Sequence, residues 1–285
     1  MSSQKLRPRR SFIFTPGLRP DMFPKALASG ADIVCVELED GIAPKDKDEA
    51  RKHALALFNT PQADDGVERI VRINSMRERF GLEDVNAILA SSTPPPALMM
   101  PKVKTPDEVV ILDQLLTEAG HTTRLHVVIE TNAGLEAAFD IAQCSKRIDA
   151  IFFGGVDMAA ELRCQNAWEP LLFARSRVVH AAASAECDAI DVPYLDLNDP
   201  EGMRIAAIQA RDLGFAGKGC VHPKQIGALN EVFTPPADQI ARARKVIKEF
   251  EAADTGLLVV DGKLIEKPVL RDMKRIVSIA DRMGI

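Results

Sequence analysis

Residues 32–38 read DIVCVEL, and Glu39 and Asp40 follow directly. Four apolar residues in a row, three of them β-branched, predict a strand buried on both faces, as in a parallel sheet covered by helices. Gly30 closes a helical pattern over 20–29 before this strand, and a second helical pattern runs over 45–58 behind it. The stretch is therefore one unit of a strand–helix alternation, with acids crowded at the strand's carboxyl end.

The unit recurs along the chain. Residues 11–14 form the strand before it, broken by Thr15-Pro16-Gly17. Further short apolar runs at 69–73, 97–100, 124–129, 148–153, 189–192 and 218–221 are followed by helical patterns at 81–90, 106–119, 133–143, 171–185, 200–213 and 224–232. Eight such units predict an α/β protein, specifically a closed (β/α)8 TIM barrel rather than an open doubly wound sheet. After Phe233 the pattern changes. A helix over 237–253 leads to two short apolar runs around Asp261-Gly262, a strong hairpin-turn signal. Pro268 suits the first position of a last helix reaching about Met283. The predicted division is a barrel over 1–235 and a C-terminal helix–hairpin–helix extension over 236–285.

The chain of 285 residues suggests two domains at roughly 150 residues each, but one barrel takes about 250. With 36 Lys and Arg against 41 Asp and Glu, the net charge is −5. That speaks against nucleic acid or a membrane surface as a partner and leaves room for a local basic patch. Cys35, Cys144, Cys164, Cys187 and Cys220 are odd in number and scattered, which argues against a disulfide framework or a zinc site and suits a reducing, cytoplasmic setting. Residues 1–10 are polar and basic with no apolar segment behind them, so no signal peptide is expected. No run approaches the roughly 20 apolar residues of a membrane span.

In such a barrel the reacting groups sit at the carboxyl ends of the strands. Those ends supply Glu37, Glu39 and Asp40; Arg72 and Asn74; Lys102; Glu130; Gly154, Gly155, Val156 and Asp157; Asp191; and His222. Glu130 and Asp157 end neighbouring strands, so their carboxylates can converge. Two carboxylates with waters and substrate oxygens are how proteins hold Mg²⁺, and with no His or Cys beside them zinc is the poorer match. The competing reading is that each acid caps the helix behind it. Arg72 offers a planar fork for a carboxylate; its alternative, an ion pair with Glu37, Glu39 or Asp40, would hold that fork in place. Glu39 and Asp40 can reach metal-bound waters. Arg19 and Lys102, just past strands 1 and 4, suit phosphates or plain solvated loops. Gly154 and Gly155 permit close backbone approach to a ligand. His222 reads as a structural histidine before a general acid, and Trp168 as a packing residue.

These residues lie within a longer series of motifs: Phe14-Thr-Pro-Gly17, Leu38-Glu-Asp40 with Ala43-Pro44 and Glu49-Ala-Arg51, Arg72-Ile-Asn74, Pro101-Lys102, Glu130-Thr131, Gly154 with Asp157, Ala174-Arg-Ser-Arg177, Ala189-Ile-Asp191, Gly214-Phe-Ala-Gly-Lys218, His222-Pro-Lys-Gln225 and Phe233-Thr-Pro235. In this order they resemble the citrate lyase β-subunit-like branch of the HpcH/HpaI aldolase superfamily. The resemblance implies Mg²⁺, with Mn²⁺ as a substitute, on Glu130 and Asp157. It places Arg72 on the carboxylate of a 2-keto acid, beside Glu39, Gly155 and Val156. It assigns coenzyme A to the region of Phe14, Pro16, Arg19 and Lys102. It implies a homo-oligomer, a trimer or a dimer of trimers, whose extension packs on a neighbouring subunit and carries a proton-handling acid into that site. Glu266 stands there, where the family pattern has Asp, and joins Arg72 and Asp40 among the catalytic candidates. The implied activity is carbon–carbon cleavage or formation of a 3-hydroxyacyl-CoA such as citramalyl-CoA or malyl-CoA. The alternatives are a citryl-CoA lyase, a malyl-CoA thioesterase, an aldolase on free hydroxy-acids, and a non-catalytic barrel that serves as a subunit or binding module.

Overall fold

A computed structural model describes residues 8–253 and 256–285. The expectation about a leader concerns residues 1–10, of which 1–7 lie outside the described residues. Eight strands, β1 (Ser11–Pro16), β2 (Ile33–Glu37), β3 (Glu68–Arg72), β4 (Ala97–Met100), β5 (Arg124–Ile129), β6 (Ile148–Phe153), β7 (Asp188–Asp191) and β8 (Gly217–Cys220), close into one barrel in sequence order. Every neighbouring pair is parallel, including β8 with β1. The expected TIM barrel is the observed fold, because strands apolar on both faces must be covered both inside and out.

Successive side chains alternate between the two faces of a strand. Phe12, Ile33, Cys35, Ile70, Met99, Val128, Phe152 and Ile190 point inward and fill the barrel. Ile13, Val34, Val36, Val71, Leu98, Val127, Ile151 and Phe153 point outward into the larger core under the helices. Two expected helices break into pieces. Residues 133–143 form Asn132–Glu136 and Ala138–Gln143, and the unit after β6 contains Gly155–Leu162 before Trp168–Ser184.

The extension is built as expected. Helix Ala237–Ala252, the antiparallel pair β9 (Leu257–Val260) and β10 (Lys263–Glu266), and helix Lys267–Met283 pack on one another around Val246, Phe250, Val260 and Ile265. Asp261 and Gly262 both take positive φ, 50° and 73°, as a two-residue hairpin turn of the primed type requires. Pro268 lies at the second helical position, one later than expected, because Lys267 opens the helix. No helix among the described residues is long and apolar enough to cross a membrane.

Candidate active site

Glu37, Arg72 and Glu130 lie two residues beyond Cys35, Ile70 and Val128, so they share the inward phase and crown the barrel's interior layer. Glu37 and Arg72 are direct register partners between β2 and β3. That neighbourhood puts the Arg72 Nε donor 2.5 Å from a Glu37 oxygen, and Nη1 3.2 Å from Glu39. The guanidinium lies over the Phe14 ring, 4.5 Å from its centroid. Burial works against its charge, but Glu37 and Glu39 outweigh burial and raise its pKa. The other Glu37 oxygen accepts from the backbone N–H of Glu39.

Lys102 follows β4 with φ of +53°, a left-handed turn that costs a non-glycine residue energy and recurs at functional sites. The turn aims its N–H at Glu130 Oε1, 2.8 Å away, and its ammonium at Glu39 and Asp40, 2.6 and 2.9 Å away. Burial lowers the Lys102 pKa, but contact with the two acids outweighs it and raises the pKa overall.

Glu130 is 3 % exposed. Burial, then Glu39, then Asp157 push its pKa up to about 8. It does not cap the helix behind it; Thr131 does, accepting from the Gly134 N–H. Asp157 is half-buried in the first turn of Gly155–Leu162. A Cβ on Gly154 would collide with the Glu130 carboxylate, so glycine is what allows the β6 end to approach it. Both Glu39 oxygens are buried and near a cation, yet neither accepts a directed hydrogen bond. Glu130 thus has two acidic neighbours, Glu39 and Asp157, close enough to disfavour its charge, and a bound cation would relieve that repulsion. All the donors are oxygen, which suits Mg²⁺.

The other expected residues fall as follows. Pro16 ends β1 opposite Glu37. Arg19 is exposed and paired with Asp21 rather than with the carboxylates. Gly155 is buried and Val156 is 46 % exposed at the mouth. Asp191 is a correction to the strand-end candidates. Because Ile190 points inward, Asp191 points outward and is buried against Arg175 and Lys218. His222 accepts from the Lys224 N–H and caps a short turn, and Trp168 packs on Arg175. Glu266 is exposed at the start of the last helix, and no contact among the described residues joins it to this cluster in its own chain. Glu37 is the Arg72 partner that the strand-end reading offered. One buried residue, Lys47, was given no role by sequence reading. The Lys47 ammonium in fact donates to the carbonyls of Leu38 and Glu39, at 2.8 and 2.7 Å, and to Asn74 Oδ1 at 2.5 Å.

An acid–histidine group, Glu68, His126 and Asp149, with possible ligand atoms within 4.8 Å of one another, lies toward the opposite, amino-terminal end of the barrel. There the Arg9 guanidinium already bridges Glu68 and Asp188, with Asp149 3.7 Å away, so a tethered side chain supplies the cation.

The HpcH/HpaI aldolase/citrate lyase family model matches residues 10–223, from the strand 1 side through the strand 8 end. The chain belongs to this family. It is 31 % identical to the citrate lyase subunit beta of Escherichia coli K12, over all of this chain and 97 % of that one. It is 33 % identical to the L-malyl-CoA/beta-methylmalyl-CoA lyase of Cereibacter sphaeroides, over 98 % of this chain and 96 % of that one. A solved structure of CitE from Mycobacterium tuberculosis, in complex with magnesium, acetoacetate and coenzyme A, superposes with a TM-score of 0.79 at 26 % identity, covering 99 % of this chain and all of that one. The expectation of a lyase family is met, and the expected magnesium and coenzyme A accompany that similar structure.

Proposed function

We propose that the protein is a Mg²⁺-dependent carbon–carbon lyase that splits a 3-hydroxyacyl-CoA, of the citramalyl- or malyl-CoA kind, into acetyl-CoA and a 2-keto acid, or runs the reverse condensation. The observation that carries this reading is the buried Glu130 carboxyl at the barrel mouth, which feels the charges of Glu39, Asp157 and Arg72 together. Glu130 and Asp157 would hold the metal, with Glu39 and Asp40 reaching its waters. Bound there, magnesium supplies Lewis-acid polarisation of the substrate oxygens. Arg72 presents its fork to the keto-acid carboxylate, held by Glu37 on one edge and Phe14 beneath. Lys102 and Arg19 serve the coenzyme A phosphates.

Cleavage needs a base for the hydroxyl proton, and condensation needs one for the acetyl methyl proton. Glu266 of a neighbouring subunit takes this part. Leu257, Val259 and Leu264 are 50 %, 63 % and 52 % exposed. The β9–β10 register places them and Glu266 on one face of the hairpin. Such an apolar face on an arm suits burial against a second copy in a closed ring, a trimer or a dimer of trimers.

The charge balance supports a keto acid with one carboxylate. Glu37, Glu39, Asp40, Glu130 and Asp157 face Arg72 and Lys102, and each of these cations already spans two acids. With Arg72 given to the keto-acid carboxylate and Lys102 to the coenzyme A phosphates, neither is left for a second carboxylate such as that of oxaloacetate. The resemblance to a citrate lyase subunit keeps citryl-CoA as the second reading. The purified protein with Mg²⁺ and malyl-, citramalyl- or citryl-CoA, followed by the keto acid released, decides between them. Glyoxylate or pyruvate release is expected. Oxaloacetate from citryl-CoA as the preferred reaction would install the second reading, and no turnover of any thioester would overturn the lyase assignment.

A further inference from the structure

Arg175, Asp191 and Lys218 are 5 %, 1 % and 2 % exposed and form a buried triad between the barrel and helix Trp168–Ser184. Arg175 Nε donates to one Asp191 oxygen at 3.0 Å, and Lys218 Nζ to the other at 2.5 Å. Two cations share one anion, and Arg175 Nη1 is buried without a partner. Burial lowers the Lys218 pKa. As an electrostatic device the triad is over-supplied, since either cation alone would balance Asp191. What distinguishes Arg175 is its packing. Its guanidinium sits 4.9 Å from the Phe153 ring centroid and 4.8 Å from that of Trp168. The Phe153 ring in turn backs Gly155 so closely that a Cβ there would press on it and on Val192. Gly155 opens the helix whose first turn carries Asp157.

We propose that Arg175 is a positioning residue for the metal site, acting through the Phe153 ring and Gly155 on Asp157. The guanidinium is a flat wedge between two rings, and it fixes the depth at which the Gly154–Asp157 turn faces Glu130. The inference rests on the assignment of the metal to Glu130 and Asp157.

Mn²⁺ affinity of the folded, substrate-free protein, read by electron paramagnetic resonance, tests it in R175M, R175K, K218M and D157A, with melting temperature measured in parallel. R175M and K218M each leave one cation on Asp191, but only R175M removes the wedge. R175K keeps the charge, loses the plane, and serves if R175M does not fold. Loss of such outer support typically weakens metal binding about 10- to 100-fold. R175M and R175K are expected to bind Mn²⁺ at least about tenfold more weakly, and K218M within about twofold of the native chain. Equal weakening in the Arg175 and Lys218 variants, or none in the Arg175 variants, would overturn the proposal. Native-like binding by D157A would instead overturn the metal assignment beneath it.

Discussion

Glu130 combines deep burial with two acidic neighbours, and its carboxyl is pushed up to about 8 before any metal arrives. In the unfolded chain it titrates near 4.5. Between these values the metal-free folded state holds a proton that the unfolded state releases, so this group costs stability as pH rises from about 4.5 to about 8. Glutamine at the position carries no such charge. In EDTA, E130Q should gain on the native chain in urea-unfolding free energy steadily from about pH 5 to 8, and it should lose the stabilisation that Mg²⁺ gives the native chain. A constant difference across that range would show that Glu130 is not the strained group. Glu37 is a different case, a buried acid whose work is to hold Arg72 by its Nε edge. E37Q should raise the KM for the keto acid in the condensation direction about tenfold, about 1.4 kcal/mol, with a smaller change in kcat. The placement of Glu130, Asp157 and Arg72 at strand ends was readable in the sequence, and so was an Arg72–Glu37 pair. The role of Asp191 was not, since an outward-facing acid looks the same as an inward-facing one until the strand's phase is known.

At the scale of elements, the alternation of strand and helix carried the fold, because every strand buried on both faces prints an apolar run. The phase of those strands did the further work of lifting Glu37, Arg72 and Glu130 to the mouth together. The broken helices were less visible. The Gly155–Leu162 helix is short and lies in sequence with the Gly154-Gly155 turn, so its periodicity is brief, although it carries Asp157. The β2 end is held from outside by Lys47, at the start of helix Lys47–Ala56. Three short hydrogen bonds from one buried ammonium tie the Leu38 and Glu39 carbonyls to Asn74. K47M would strand those acceptors, at a cost of about 3 kcal/mol for several buried polar groups left unmade. Urea denaturation should show that loss. A cost below about 1 kcal/mol would mean that the strand end holds itself.

For the whole molecule, the barrel and the extension meet near the strands' amino ends, where Arg282 of the last helix pairs with Asp188 at 3.2 Å beside Arg9. Helix Lys267–Met283 then spans about 25 Å by its rise, which sets Glu266 well away from that anchor. The sequence announced the extension through its hairpin turn and its proline. It did not announce that Leu257, Val259 and Leu264 share an exposed hairpin face with Glu266. If Glu266 serves a neighbour's site, D157N and E266Q subunits, each inactive alone, should regain turnover when co-expressed as mixed oligomers. Mixed oligomers seen by native mass spectrometry without recovered turnover would place Glu266 outside the reaction.

Carbon–carbon cleavage of the acyl-CoA should depend on a divalent cation held by Glu130 and Asp157. Its most direct measurement is keto-acid release from citramalyl-CoA and malyl-CoA by the native chain and D157N, first in EDTA and then with Mg²⁺ in excess. The account predicts no release in EDTA, full recovery with Mg²⁺ in the native chain, and none in D157N with its fold intact. Undiminished release in EDTA, or native turnover by D157N, would contradict it.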